Sequence, residues 1–147
     1  MAHARKTIRD RIVTDLTGLA TTGSRVYRSR VYPLAEAKLP GLAVYTLSEQ
    51  IDYATIGASR LQQRVLSVVV EIYVKGTSNY DDQLDQISLE IEDALYADLT
   101  LDGHAKDLQI TRFEADFTGE GDQPLAFARM AVDVIYHTSE NDPETTL

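Results

Sequence analysis

The stretch LQQRVLSVVVEIYVK, Leu61–Lys75, decides the fold. Side chains of an extended chain point alternately to opposite faces. Leu66, Val68, Val70, Ile72 and Val74 fall on one face, and Val65, Ser67, Val69, Glu71 and Tyr73 on the other. From Leu66 onward one face is apolar and the other mixed, the signature of a long strand laid against a core. Fifteen residues at ~3.3 Å each span about 50 Å. A domain of this length is only about 40 Å across. The strand must therefore bend, break or project. We expect residues 48–64 to form a protruding β-hairpin arm, which would reach a neighbouring subunit because an isolated hairpin is marginally stable.

Working outward, Ile8, Ile12, Leu16 and Leu19 recur at helical spacing, so residues 5–19 are expected to form an amphipathic helix. Arg25–Tyr32 alternates as a strand without a purely apolar face, and Leu42–Leu47 reads as a buried strand. Residues 79–99 give a second helix. Ser78 or Asn79 is placed to cap it, Asp81 and Asp82 favour its positive end, and Leu84, Ile87, Ile91, Ala94 and Leu95 form its inward stripe. Residues 107–117 and 125–137 read as two antiparallel strands joined by the acidic loop Thr118–Asp122. Helices do not alternate regularly with strands. The expected class is α+β: a mostly antiparallel or mixed sheet, with two amphipathic helices on one face and the hairpin arm. One domain, 1–138, is expected, followed by a polar and mobile tail, 139–147.

The chain has 147 residues and a net charge of −9. Proteins that wrap DNA usually carry the opposite sign, since their affinity comes from neutralising phosphates. There is no cysteine, which excludes disulfides and thiolate metal sites. No apolar run approaches the roughly 18 residues of a membrane helix, and the charged start MAHARKTIRDR does not resemble a signal peptide. We expect a soluble protein made in the cytoplasm.

Catalytic motifs are not found. His3, His104 and His137 stand apart, with no second ligand at metal-binding spacing. Gly57-Ala58-Ser59 reads as a turn, not a nucleophile elbow. Gly119-Glu120-Gly121 carries an acid where a phosphate loop needs amide donors and a cation. Glu114 with Asp116 and Glu120 with Asp122 are carboxylate pairs, but acid–base work needs an enclosed pocket. Neither enzymatic activity nor a cofactor is expected. Arg28 and Arg30 project together between Val26 and Tyr32. They fit ordinary cross-strand ion pairs, contacts to another subunit, or a stacking grip on single-stranded nucleic acid, the last opposed by the acidic remainder of the chain.

The order of segments resembles a known family. A short N-terminal helix leads into GSRVYRSRVYPLAEAKLPGLAVYT. RVLSVVVEIYVKG, NYDDQLDQISLEIEDALYAD and TGEGDQPLAFARMAVDVIYHT then follow. Together they are similar to the tail terminator proteins of long-tailed bacteriophages, akin to minor tail protein U of lambda-like phages, with relatives in prophages and gene transfer agents. The resemblance implies a virion protein. It would form a hexameric ring on the head-proximal end of the tail tube, stop tube polymerisation and dock the filled head, without catalysis. Implied partners are copies of itself, the tail tube protein and a head-completion or neck protein. Duplex DNA would pass through the bore without specific binding, and no membrane is involved.

On that expectation, Arg28, Arg30, Tyr32, Tyr53, Arg60 and Arg64 are candidates for subunit or tube contacts. Glu49, Asp52, Glu120 and Asp122 are candidates for the bore or an axial face, where negative walls repel DNA over roughly the 8–10 Å Debye length. Three alternatives remain open: another neck or adaptor protein, an acidic DNA-mimic inhibitor, and a small ligand-binding module with a concave apolar pocket.

Overall fold

The computed structural model describes residues 2–28, 39–57, 59–76, 79–118 and 125–147. Its elements are α1 (Ala4–Leu16), β1 (Val26–Tyr27), β2 (Gly41–Tyr53), β3 (Leu61–Lys75), α2 (Tyr80–Tyr96), β4 (Asp107–Thr118) and β5 (Leu125–Ser139). The strands form one sheet in the order β1-β2-β3-β5-β4. β1 runs parallel to β2 and every other pair is antiparallel, so the class is α+β with a mixed sheet.

The alternation of β3 is realised as read. Leu66, Val68, Val70, Ile72 and Val74 meet Leu42 and Val44 of β2 and Val132 and Val134 of β5 in the main core. α1 contributes Ile8, Ile12 and Leu16 to that core, and α2 contributes Leu84, Ile87, Ile91 and Leu95, so both helices cover the same sheet face. Each such side chain contributes about 1.5–3 kcal/mol on burial. A charge at Val70, which is 0% exposed, would break this centre. The opposite face holds a smaller cluster of Ala43, Tyr73 and Phe127.

The ends of the helices have local causes. His3 Nδ1 accepts from the Arg5 amide at 3.1 Å and caps α1. The N-cap of α2 falls on Asn79, but its side chain makes no capping hydrogen bond. Asp81 and Asp82 in the first turn still favour the positive end. α2 ends at Tyr96, with the Ala97 amide donating to the Asp93 carbonyl, and the chain then turns away through Leu101, Asp102 and Gly103, all with left-handed backbone angles.

Several expectations are met only in part. The strand expected over 25–32 is described only at Val26–Tyr27, because residues 29–38 lie outside the described ones. β2 is longer than Leu42–Leu47, running to Tyr53 through an irregularity between Thr46 and Ser48. A bulge inserts one unpaired residue; here it turns Leu47 out, leaving it 64% exposed. The hairpin of β2 and β3 is present, pairing as far as Tyr53 with Gln62. It is not a free two-stranded ribbon, because β5 accompanies β3 all the way to Leu61 with Ser139. β3 thus keeps its full length by gaining a third strand along it. The segment after β5 folds back: the Glu140 amide donates to the Arg60 carbonyl at 2.9 Å and the Leu147 amide to the His137 carbonyl at 2.9 Å.

Candidate functional site

The helix-side face of the sheet changes character beyond Leu66. On β3 the same parity continues as Arg64 and Gln62, and on β5 Val134 is followed by Tyr136 and Thr138. Glu49 lies opposite Leu66 on β2, just past the irregularity. α1 begins above this end of the sheet, so apolar cover is replaced by its first residues. The outcome is a buried polar cluster. Glu49 Oε1 accepts from Arg64 Nη1 at 2.7 Å and from Arg5 Nη1 at 2.7 Å, and its other oxygen accepts from the Tyr136 hydroxyl. Arg64 also donates to Thr138 Oγ1 at 3.0 Å and Gln62 Oε1 at 2.7 Å. The side chains of Arg64 and Glu49 are 7% and 6% exposed.

Burial pushes the Glu49 carboxyl upward, but hydrogen bonds from Tyr136, Arg64 and Arg5 outweigh it and hold the pKa below the ordinary value. Burial, followed by the bond to Glu49, pushes the Tyr136 hydroxyl well above its ordinary value. The Glu49 carboxyl therefore stays ionised at neutral pH, held between the two arginines. The cluster binds strands and helix together and presents no free nucleophile.

The sequence candidates separate accordingly. Arg64 and Glu49, expected on different outward surfaces, are each other's partners in the interior. Within the single chain both side chains are enclosed, which leaves little of either to offer a bore or a neighbour. Arg28 is exposed and reaches Asp10 of α1 at 2.5 Å. Tyr53 is 52% exposed, with the Arg60 guanidinium 4.2 Å above its ring. Arg60 also pairs with Glu140 at 2.8 Å, so these two residues do come together near the hairpin tip. Asp52 is exposed beside them. Arg30, Tyr32, Glu120 and Asp122 lie outside the described residues.

Sequence reading missed Arg5, Gln62, Tyr136 and Thr138 in the cluster, although the parity of Gln62 and Arg64 with Leu66 was a usable signal. It also missed a second acidic contact. Asp15 on α1 and Asp98 after α2 both take Arg11, whose Nε lies 3.3 Å from one and 3.0 Å from the other. Burial, then the approach of Asp98, pushes the Asp15 carboxyl up to about 7. Its buried Oδ2 has no donor within reach. A proton on Asp15, shared with Asp98, accounts for both observations.

Among the described residues no cluster of metal-ligating side chains occurs. One cavity of about 280 Å³ lies between Thr21, Leu39, Pro40, Val74, Lys75, Gln83 and Ile87. It is mainly apolar and holds no nucleophile–base pair. No helix is long and apolar enough to cross a membrane among the described residues.

No curated protein matches the chain. A solved structure described as "Virion of native gene transfer agent (GTA) particle" contains a similar chain. It is 15% identical, with a TM-score of 0.37, covering 90% of this chain and 92% of that one. The family model for phage minor tail protein U matches residues 3–140. The chain therefore belongs to the phage minor tail protein U family, whose members are structural proteins of the phage tail.

Proposed function

We propose that this chain is a tail terminator, forming a hexameric ring on the head-proximal end of the tail tube. The ring stops tube polymerisation and gives the head its docking surface, and DNA passes through its bore. The observation that carries this reading is the family match along residues 3–140. The net charge of −9 supports it, since a channel for DNA must not grip phosphates. Asp52, Glu120 and Asp122 are the acids proposed for the bore or an axial face. Arg28, Arg30, Tyr32, Tyr53 and Arg60 are proposed for contacts with the next subunit or the tube. Partners are the tail tube protein and a neck or head-completion protein, and assembly follows synthesis in the host cytoplasm.

Electron microscopy of tails assembled with and without the protein tests the reading. Uniform tails capped at one end in its presence, and overlong tubes in its absence, are expected. Tails of normal length without it would refute termination. Binding to tail-less heads, with none to isolated tails, would assign the protein to the neck instead.

A further inference from the structure

We propose that copies of this chain join head to tail through two unlike lateral faces. The basic flank of α1 with the outer edge of β2 in one copy meets the acidic outer stripe of α2 with the edge of β4 in the next. This rests on the ring reading above and names its lateral contact.

The two helices lie on one sheet face, toward opposite edges. α1 reaches β2, where Arg5 pairs with Glu49 and Arg9 Nη1 donates to Thr46 Oγ1 at 2.9 Å. α2 packs over β3, β5 and β4, and Tyr80 at its start stacks on Phe117 of β4 with ring centroids 5.1 Å apart. Charge follows the same division. α1 carries four basic residues and two acidic ones, whereas α2 carries six acids and no base. Arg28, at the end of β1, joins the basic side through Asp10.

Each side also exposes apolar surface in the midst of its charge. On β2 these residues are Leu47 and Ile51, 64% and 39% exposed. On α2 they are Leu89 and Tyr96, 51% and 47% exposed. Leu89 and Tyr96 are seven residues apart, as are Asp85 and Glu92, so the four share one stripe along the helix. That stripe faces away from α1. Glu90, on the other flank, reaches back to Thr21 Oγ1 at 2.5 Å, in the loop that follows α1. Phe113 of β4, 41% exposed, extends the same surface at the sheet edge.

A second copy is the occupant that fits both faces at once. Two copies meeting by like faces would set acid on acid or base on base, costing several kcal/mol. Meeting by unlike faces pairs charges around apolar centres, the usual anatomy of an interface. Contacts of this heterologous kind close into rings when the rotation allows.

Self-association measured by analytical ultracentrifugation tests this, with folding checked by circular dichroism. Reversing the basic face (K6E with R9E) or the acidic face (D85K with E92K) should each weaken association about 100-fold at low salt. A chain carrying all four reversals should regain it, because the swapped faces match again. Association of the wild-type protein should also weaken at least about tenfold between about 50 and 500 mM salt, a readout independent of any variant. Folded single-face variants that associate like wild type, no recovery in the fourfold variant, or salt-independent association would each overturn the proposal. Normal capping of tails by both single-face variants would do the same while leaving termination intact. Wild-type protein that shows the charge-swap pattern yet fails to cap tails would uphold this contact and remove the terminator reading.

Discussion

Replacing Glu49 by Gln keeps the shape of the side chain and removes one charge from the interior. The Glu49 carboxylate accepts three hydrogen bonds, from Arg5, Arg64 and Tyr136. An amide offers one acceptor oxygen and an NH2 group, so either the Tyr136 bond reverses direction or one of the arginine bonds fails. Arg64 then keeps Thr138 and Gln62 but loses its anion while 7% exposed. Breaking a buried pair by removing one partner costs about 3–5 kcal/mol, most of it from the stranded charge. We take the lower half of that range for E49Q, about 3 kcal/mol, because the two remaining acceptors still hold the guanidinium. Urea denaturation at neutral pH measures it, with the slope checked for constancy. The double variant E49Q/R64M should lose about 2 kcal/mol less than the sum of the single losses, as expected for residues in direct contact. The depressed pKa of Glu49 adds a sign: its stabilisation is full above the ordinary carboxylate range and is lost as pH falls through the folded value. A loss below about 1 kcal/mol in E49Q, or strict additivity in the double variant, would refute the cluster as a coupled unit.

Asp15 gives the opposite pH dependence. Its carboxyl rises from 3.8 to about 7 on folding, so the folded state holds an extra proton between those values and stability falls as pH rises across them. Asp15→Asn donates to Asp98 permanently. After allowing for screening by water, it should be about 1–2 kcal/mol more stable than wild type at pH ~8, and its urea midpoint should vary less with pH. A variant no more stable than wild type there would remove the shared proton. For the C-terminal segment, the amides of Glu140 and Leu147 should exchange with deuterium at least about tenfold more slowly than an unstructured chain, given their carbonyl partners. Exchange at the unstructured rate would instead support the sequence expectation of a mobile tail.

The sheet was legible because its long strands have clean parity. β5 alternates along most of its length, and β3 does so up to Val68, beyond which both of its faces are buried; both apolar stripes face the helices. β2 and the arm were read as separate because Ser48-Glu49-Gln50 breaks the apolar run, and the irregularity at Thr46 and Ser48 shifts the parity that would have joined them. The polar cluster was half legible. Arg64 shares its parity with Leu66, which marks it as inward, but its partner lies on another strand, and the Glu49–Tyr136 bond joins residues 87 apart. A single sequence carries no sign of such long-range pairs. Leu89 and Tyr96, seven residues apart, are legible as an outward apolar stripe on α2 beside the longer inward one. Arg28, just beyond the end of β1, is exposed although Val26 shares its parity.

The position of the buried cluster bears on what the hairpin tip can do. Ile51, Tyr53 and Ile56 near the tip are 39%, 52% and 101% exposed, a surface whose use in a contact costs least if it is already ordered. The cluster lies at the base of that hairpin and ties β2, β3, β5 and α1 to one another through Glu49. A slip of one residue between β2 and β3 would turn Glu49 to the opposite sheet face, away from Arg5 and Tyr136, and strand Arg64 without an anion. Misregistered pairing is therefore penalised by several kcal/mol at a single point, where apolar side chains would discriminate less sharply. Arg60 adds a second tie, holding Tyr53 from above while it binds Glu140 beyond β5. In the proposed ring, where each subunit would offer the same tip to its neighbour, such fixed register would be of use. That is a physical reason for ionic groups to occupy an interior that the sheet's own parity would otherwise have filled with leucine and valine.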